Sequence, residues 1–221
     1  MIRAEGIVYP AGGSVLSGLS LRVGEGEVFG ILGKNGSGKT VLLEILATLR
    51  RPYAGSLTLM GKDALRRPEE VRPAVGFVPD GISPMEGLDV EEYLSLFARC
   101  YGLDTALQKR RKAEVVERMD LKAVLKSPMA ALSPGSLRRV AVARGVLHQP
   151  KVLILDGPFT GLDDPGKERI CRLLKDLRED GLAIIGTVAS TADLQGEPGS
   201  VWDRMELLQE GELTRCPPSI R

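Results

Sequence analysis

The sequence predicts an α/β fold: strands and helices alternating around one sheet, preceded by short antiparallel strands and interrupted by a block of helices. Three observations predict it. Val28-Phe29-Gly30-Ile31-Leu32 has the length and bulk of a buried strand, and a glycine-rich loop at 33–40 leads from it into Val41-Leu42-Leu43-Glu44-Ile45-Leu46, apolar at helical spacing. Lys151-Val152-Leu153-Ile154-Leu155-Asp156 is a second apolar strand, followed by a helix with Ile170, Leu173, Leu174 and Leu177 facing inward and by a third strand at 182–187. Between roughly 84 and 130 the texture is helical, without strands.

In chain order, residues 2–9 and 15–23 read as two strands. In the second, Leu19, Leu21 and Val23 alternate with Ser20 and Arg22, the pattern of a half-buried strand. Pro10-Ala11-Gly12-Gly13-Ser14 supplies the turn between them, and Ser56-Leu57-Thr58-Leu59-Met60 is a further strand. Connections too short for helical crossovers make these early strands antiparallel. Ala74-Val75-Gly76-Phe77-Val78-Pro79 is another buried strand, broken by Asp80-Gly81. Asp89 is an N-cap for a helix with Val90, Tyr93, Leu94, Phe97 and Tyr101 on one face, ended by Gly102. The next helix begins after Asp104 and contains Lys109-Arg110-Arg111-Lys112, which reads as a solvated face without function. Pro134-Gly135 opens a helix through Leu147, and 201–213 forms a hairpin turning at Gln209-Glu210-Gly211. The chain reads as one domain over 1–221: 1–80 and 131–221 form a β-subdomain and the core, and 81–130 a helical subdomain.

Composition narrows the function classes. A length of 221 residues and a 43% hydrophobic content suffice for a real core. Lys+Arg (30) nearly cancels Asp+Glu (29), so no electrostatic footprint argues for nucleic acid. Cys100, Cys171 and Cys216 form neither a metal spacing nor a disulfide framework, which fits a reducing compartment. No apolar run approaches the roughly 18 residues that span a bilayer, and the N-terminus lacks a signal-peptide core. A role at a membrane would be that of a peripheral subunit.

Gly33-Lys34-Asn35-Gly36-Ser37-Gly38-Lys39-Thr40 fits G-x-x-x-x-G-K-[ST], with a strand before it and a helix after it. N–H groups of this loop and of the helix N-terminus at Val41 would point at phosphates, aided by the helix dipole. Lys39 would reach the β/γ-phosphates and the Thr40 hydroxyl would ligate Mg²⁺. Asp156, after four aliphatic residues at a strand end, would hold the same metal directly or through water. Together these residues read as a site for a nucleoside triphosphate. Tyr9 ends the first strand; by position it is either a rim aromatic or a ring stacked on adenine.

The order of segments resembles the ATP-binding subunit of an ABC transporter over nearly the whole chain. Residues 33–40 match its P-loop, Leu132-Ser133-Pro134-Gly135-Ser136-Leu137-Arg138-Arg139-Val140 stands at its LSGGQ signature, 152–156 match the strand carrying the Mg²⁺ aspartate, and Thr160-Gly161-Leu162-Asp163 matches its D-loop. Val78-Pro79 and the helix at Val90-Glu91-Glu92-Tyr93-Leu94 are most similar to the bacterial multidrug, gliding and antibiotic exporter branch. The resemblance implies a P-loop NTPase (RecA-like) core with an N-terminal antiparallel β-subdomain and an inserted α-helical subdomain. It also implies ATP and Mg²⁺ as ligands and adenine stacking by Tyr9. Such subunits pair head to tail, with Ser133, Gly135 and Asp163 completing the partner's ATP site, and drive a separate membrane permease from the cytoplasmic face of the membrane.

Departures from the family pattern bear on hydrolysis. The glutamate that polarises the attacking water is Gly157 here, which has no group to accept a proton. The γ-phosphate histidine is Val188, within Thr187-Val188-Ala189; the single histidine, His148, lies upstream of Asp156. The Mg²⁺-contacting glutamine is Asp80, a hard-oxygen metal ligand and a candidate substitute base. Pro134 removes one N–H from the signature loop. Losing a positioned base costs about 10²–10⁴ in rate, whereas binding rests on the loop amides, Lys39 and Mg²⁺. The expectation is a subunit that binds MgATP but hydrolyses it slowly, paired with a more complete subunit in preference to a second copy. An ATP-sensing regulatory or scaffold protein without a permease is the alternative.

Overall fold

The apolar strands condense into two sheets in a computed structural model that describes residues 1–11 and 14–216. β1 (Ile2–Ala11) and β2 (Ser14–Val23) pair antiparallel. Gly12 and Gly13 of the expected turn lie outside the described residues. Alternation slips within β1: Ile2 and Ala4 are buried, then Ile7, and the register against β2 shifts on both sides of Ile7. A bulge of this kind bends the strand without exposing its apolar set.

β3 (Val28–Leu32) is buried throughout and feeds α1 (Lys39–Leu46). β4 (Ala54–Leu59) returns to the free side of β1, and β5 (Lys62–Asp63) extends it, giving the order β2-β1-β4-β5. The remaining elements are β6 (Val75–Val78), α2 (Val90–Cys100), α3 (Thr105–Arg118), α4 (Pro134–Val146), β7 (Val152–Leu155), α5 (Asp164–Glu179), β8 (Ala183–Val188), the single turn α6 (Glu197–Ser200), β9 (Arg204–Gln209) and β10 (Glu212–Arg215). The second sheet runs β10-β9-β3-β8-β7-β6, parallel except for the β9–β10 hairpin. The α/β class, the antiparallel N-terminal sheet and the helices between β6 and α4 are as expected.

This sheet is covered on both faces, which is why its strands read as continuous apolar runs. Val28, Leu32, Leu153 and Leu155 join the core beneath α4 and α5, whereas Phe29, Ile31, Val152 and Ile154 join the core shared with α1 and the antiparallel sheet. Gly30 and Gly186 are register partners on β3 and β8, and the Trp202 indole lies across both. A Cβ at Gly186 would come 2.8 Å from that ring.

Local signals set the helix ends. Asp89 and Glu92 form a reciprocal capping box at α2, Asp104 caps α3, and Gly102 follows α2 with φ +72°. One expectation fails. The run 109–112 is not a uniformly solvated face, because Arg111 is buried. It shares the inner stripe of α3 with Val115, and its guanidinium donates to the carbonyls of Val146 (2.9 Å) and Leu147 (3.1 Å) while pairing with Glu114. Those carbonyls end α4; the Val146 carbonyl also accepts from the Gln149 N–H at 3.2 Å, and Arg111 adds a C-terminal cap supplied from another helix.

Candidate functional site

Strand β3 delivers the chain to the loop at 33–38, and α1 begins at Lys39 with Gly38 as its N-cap. Gly38 has no side chain to cap the helix, and no acidic residue occupies the first turn. The N–H groups of that turn therefore remain available to an anion. Lys39 folds back along the loop and is 8% exposed. Its Nζ donates to the carbonyls of Gly33 (2.5 Å) and Lys34 (2.9 Å). Burial lowers its pKa below the ordinary lysine value, opposed by the charges of Asp156 and Asp80.

Asp156 follows β7 and is 4% exposed. Its carboxylate accepts from the Thr40 hydroxyl (2.6 Å) and from the Thr187 hydroxyl (2.5 Å). Thr187 in turn accepts from the Gly157 N–H at 2.9 Å. Three segments far apart in sequence thus meet at one carboxylate. Thr187 was not among the expected site residues; a threonine inside an apolar strand was the only signal.

These groups face a cleft of about 620 Å³ that also reaches Tyr9, Asn35, Gly36, Val41, Arg50, Asp80, Thr160 and Ala189. Tyr9 lies at its rim, with the Arg50 guanidinium 5.3 Å from its ring centroid and donating to its hydroxyl at 2.9 Å. Arg50 is itself held by Glu44 at 2.7 Å. No sequence motif flagged Arg50. A separate cavity of about 540 Å³ beside α3 and α5 contains none of the expected site residues.

The residues fit a magnesium-bound nucleotide. Thr40 and Asp156 present hard oxygens to one point, the choice of Mg²⁺, which completes its shell with water and substrate phosphates. The Ser37 hydroxyl, inside the glycine-rich loop, is buried without a partner among the described residues. An orphaned buried donor in such a loop calls for an acceptor.

The positions expected from the family pattern to bear on hydrolysis look different. Gly157 has φ +56°, and a Cβ there would lie 2.6 Å from Thr160 Oγ1 and 2.7 Å from Asp80 Oδ1. Asp80 is fixed by Arg138 of α4, whose buried guanidinium bonds Asp80 Oδ1 (2.8 Å) and the carbonyls of Pro79 (2.9 Å), Asp80 (2.5 Å) and Asp156 (3.1 Å). The Val188 side chain is buried in the apolar core, leaving Ala189 to line the cleft. His148 is elsewhere, stacked on Tyr101 at 3.8 Å with its Nε2 3.2 Å from the Val75 carbonyl. Desolvation lowers its pKa to about 4.

Ser133, Gly135 and Asp163 do not line this cleft. Ser133 is the N-cap of α4, accepting from the Ser136 N–H at 3.2 Å, and Asp163 is the N-cap of α5, accepting from the Gly166 N–H at 3.0 Å. Pro134 is the first residue of α4, where a missing N–H costs little. A Cβ at Gly135 would lie 3.1 Å from the Gly161 carbonyl, so the two loops pack together.

The sequence matches the family described as ABC transporter over residues 16–160. It is 36% identical over 196 residues to the doxorubicin resistance ATP-binding protein DrrA of Mycobacterium tuberculosis, covering 89% of this chain and 58% of that protein. It is 39% identical over 175 residues to Nod factor export ATP-binding protein I of Cupriavidus pinatubonensis, covering 78% of this chain and 53% of that one. The chain therefore spans little more than half the length of these relatives. Among solved structures, a bacterial ABC transporter cassette in its dimeric form superposes with a TM-score of 0.85 at 25% identity, covering 97% of both chains. The same scores hold for a dimeric post-hydrolysis state of a cassette bound to ADP and Pi.

Proposed function

This chain belongs to the ABC transporter family as an ATP-binding domain, and we propose that it binds MgATP at residues 33–41 and drives a separate membrane permease of an exporter. The observation that carries the reading is the 2.6 Å contact of the Thr40 hydroxyl with the Asp156 carboxylate beside the glycine-rich loop. Loop amides and Lys39 bind the phosphates, Thr40 and Asp156 hold Mg²⁺, and Tyr9 stacks on the base. The cation, when bound, neutralises phosphate charge. The names of the relatives, which concern drug resistance and Nod factor export, support an export role.

The chain acts in a head-to-tail pair, in which Ser133, Gly135 and Asp163 contact the nucleotide held by the partner. Their position outside the chain's own cleft supports this assignment. A partner with a fuller catalytic set is favoured over a second copy, since Gly157 and Val188 bring no proton acceptor and no phosphate donor to the γ-position. Hydrolysis at this chain's own loop is slow. The helices at 81–130 form the subdomain that meets the permease on the cytoplasmic side of the membrane. Among the described residues no helix is long and apolar enough to cross a membrane itself.

Titrating the purified chain with MgATP while recording thermal unfolding tests the binding. Ligand at 100 times its Kd stabilises by about 2.7 kcal/mol. A flat melting temperature across millimolar MgATP would refute the reading. Copurification from membranes with a multi-span protein tests the permease partnership; ATP-dependent dimerisation with no membrane partner would favour the sensing alternative instead.

A further inference from the structure

Two residues that differ from the family pattern, Asp80 and Gly157, lie side by side in the cleft. We propose that Asp80 is the catalytic carboxylate of this site, accepting the proton of the attacking water from beside the place where a side chain on residue 157 would begin. The inference deepens the MgATP reading and rests on it.

Elimination and geometry agree. Of the carboxylates lining the cleft, Asp156 is buried and its two oxygens accept from Thr40 and Thr187. The Asp80 side chain is 56% exposed, and among the described residues only its Oδ1 is engaged, by Arg138. Its Oδ1 lies 2.7 Å from the position of an added Cβ on Gly157, so residue 157 is bare where Asp80 stands. The buried Arg138 guanidinium grips Asp80 at both backbone and side chain and also bonds the Asp156 carbonyl. Asp80 is thereby held in register with the metal-site aspartate instead of swinging freely from its loop. Oδ2 is left to receive a proton.

The step balances without another reactant. The water oxygen forms a bond to the γ-phosphorus as the bond from that phosphorus to the β–γ bridging oxygen breaks. ADP leaves with the electron pair, inorganic phosphate forms, and Asp80 Oδ2 takes the water's proton and later releases it to solvent.

The test is single-turnover hydrolysis of labelled ATP with the full chain in excess, beside MgATP affinity. Asp80→Asn keeps an oxygen for Arg138 and should hold MgATP within about 3-fold of the parent while hydrolysing it about 100-fold more slowly or worse. Asp80→Glu should regain part of the rate. Gly157→Ala, whose methyl displaces the Asp80 carboxylate, should slow hydrolysis with affinity kept. Hydrolysis by Asp80→Asn at the parental rate overturns the proposal, as does a parallel loss of affinity and rate, which would make Asp80 a metal ligand only. A parent chain that binds MgATP without turnover above buffer also overturns it, leaving the binding reading intact. A chain that binds no MgATP overturns both.

Discussion

On one side of the cleft, short hydrogen bonds tie Lys39 to the loop and Thr40 to Asp156, with Lys39 and Asp156 buried. On the other side, Gly157 offers only backbone, Val188 turns into the apolar core, and Asp80 leans in from a loop under the hold of Arg138. The first side is positioned by regular elements, β3, α1 and β7. The second is assembled from loop ends and one arginine. In the reading proposed above, holding a nucleotide and cleaving it are separable tasks, and this contrast between the two sides is its structural counterpart.

The sharpest way to break this contrast is Lys39→Ala. Each charge-assisted hydrogen bond is worth about 1.5–3 kcal/mol, so MgATP affinity should fall about 100-fold or more, read by titration. An affinity unchanged by that substitution would remove the distinction between the two sides. Asp156→Asn should come next, lowering affinity about 10-fold or more in Mg²⁺ through loss of one charge-assisted contact. The loss should be much smaller when ATP is titrated in EDTA.

His148 sharpens the comparison from outside the cleft. Its folded pKa of about 4 lies below its ordinary 6.5. The neutral ring is favoured by folding, so its contribution is present above pH 6.5 and is lost as the pH falls toward 4. Between pH 7 and 5 stability should drop by roughly 2 kcal/mol from this group, measured by urea unfolding. His148→Phe should flatten that slope and leave ATP turnover unchanged, which would show that the chain's one histidine is structural. The smallest effects belong to the rim. Tyr9→Ala should cost about 10-fold in ATP affinity, since ring–base stacking is worth about 1–3 kcal/mol. Arg50→Ala, which only frees the Tyr9 ring, should cost about 3-fold, within the worth of one neutral-acceptor hydrogen bond.

Much of the fold was legible because its signals are local. Asp89 with Glu92, Asp104 and Gly102 mark helix ends through contacts a few residues long. Apolar runs such as 28–32 and 152–155 mark strands that a covered sheet buries on both faces. Other features gave no such signal. Arg111 sits in a basic run like its neighbours, and only the packing of α3 against the end of α4 distinguishes it. The bulge in β1 hides because Ile2, Ala4 and Ile7 fit no single period.

The glycine-rich side of the cleft was determined by sequence alone, because a strand, a glycine-rich turn and a helix start are contiguous and impose their own geometry. That Gly157 and Val188 lack the expected side chains was equally plain. What their absence leaves behind was decided by tertiary structure. Asp80, Arg138 and Gly157 come from the end of β6, from α4 and from the end of β7, and the parallel pairing of β6 with β7 is what brings the first and last together. Neighbours across a parallel sheet are separated by whole crossover units, so the sequence marked Asp80 as a candidate base while only the folded sheet set its carboxylate against Gly157.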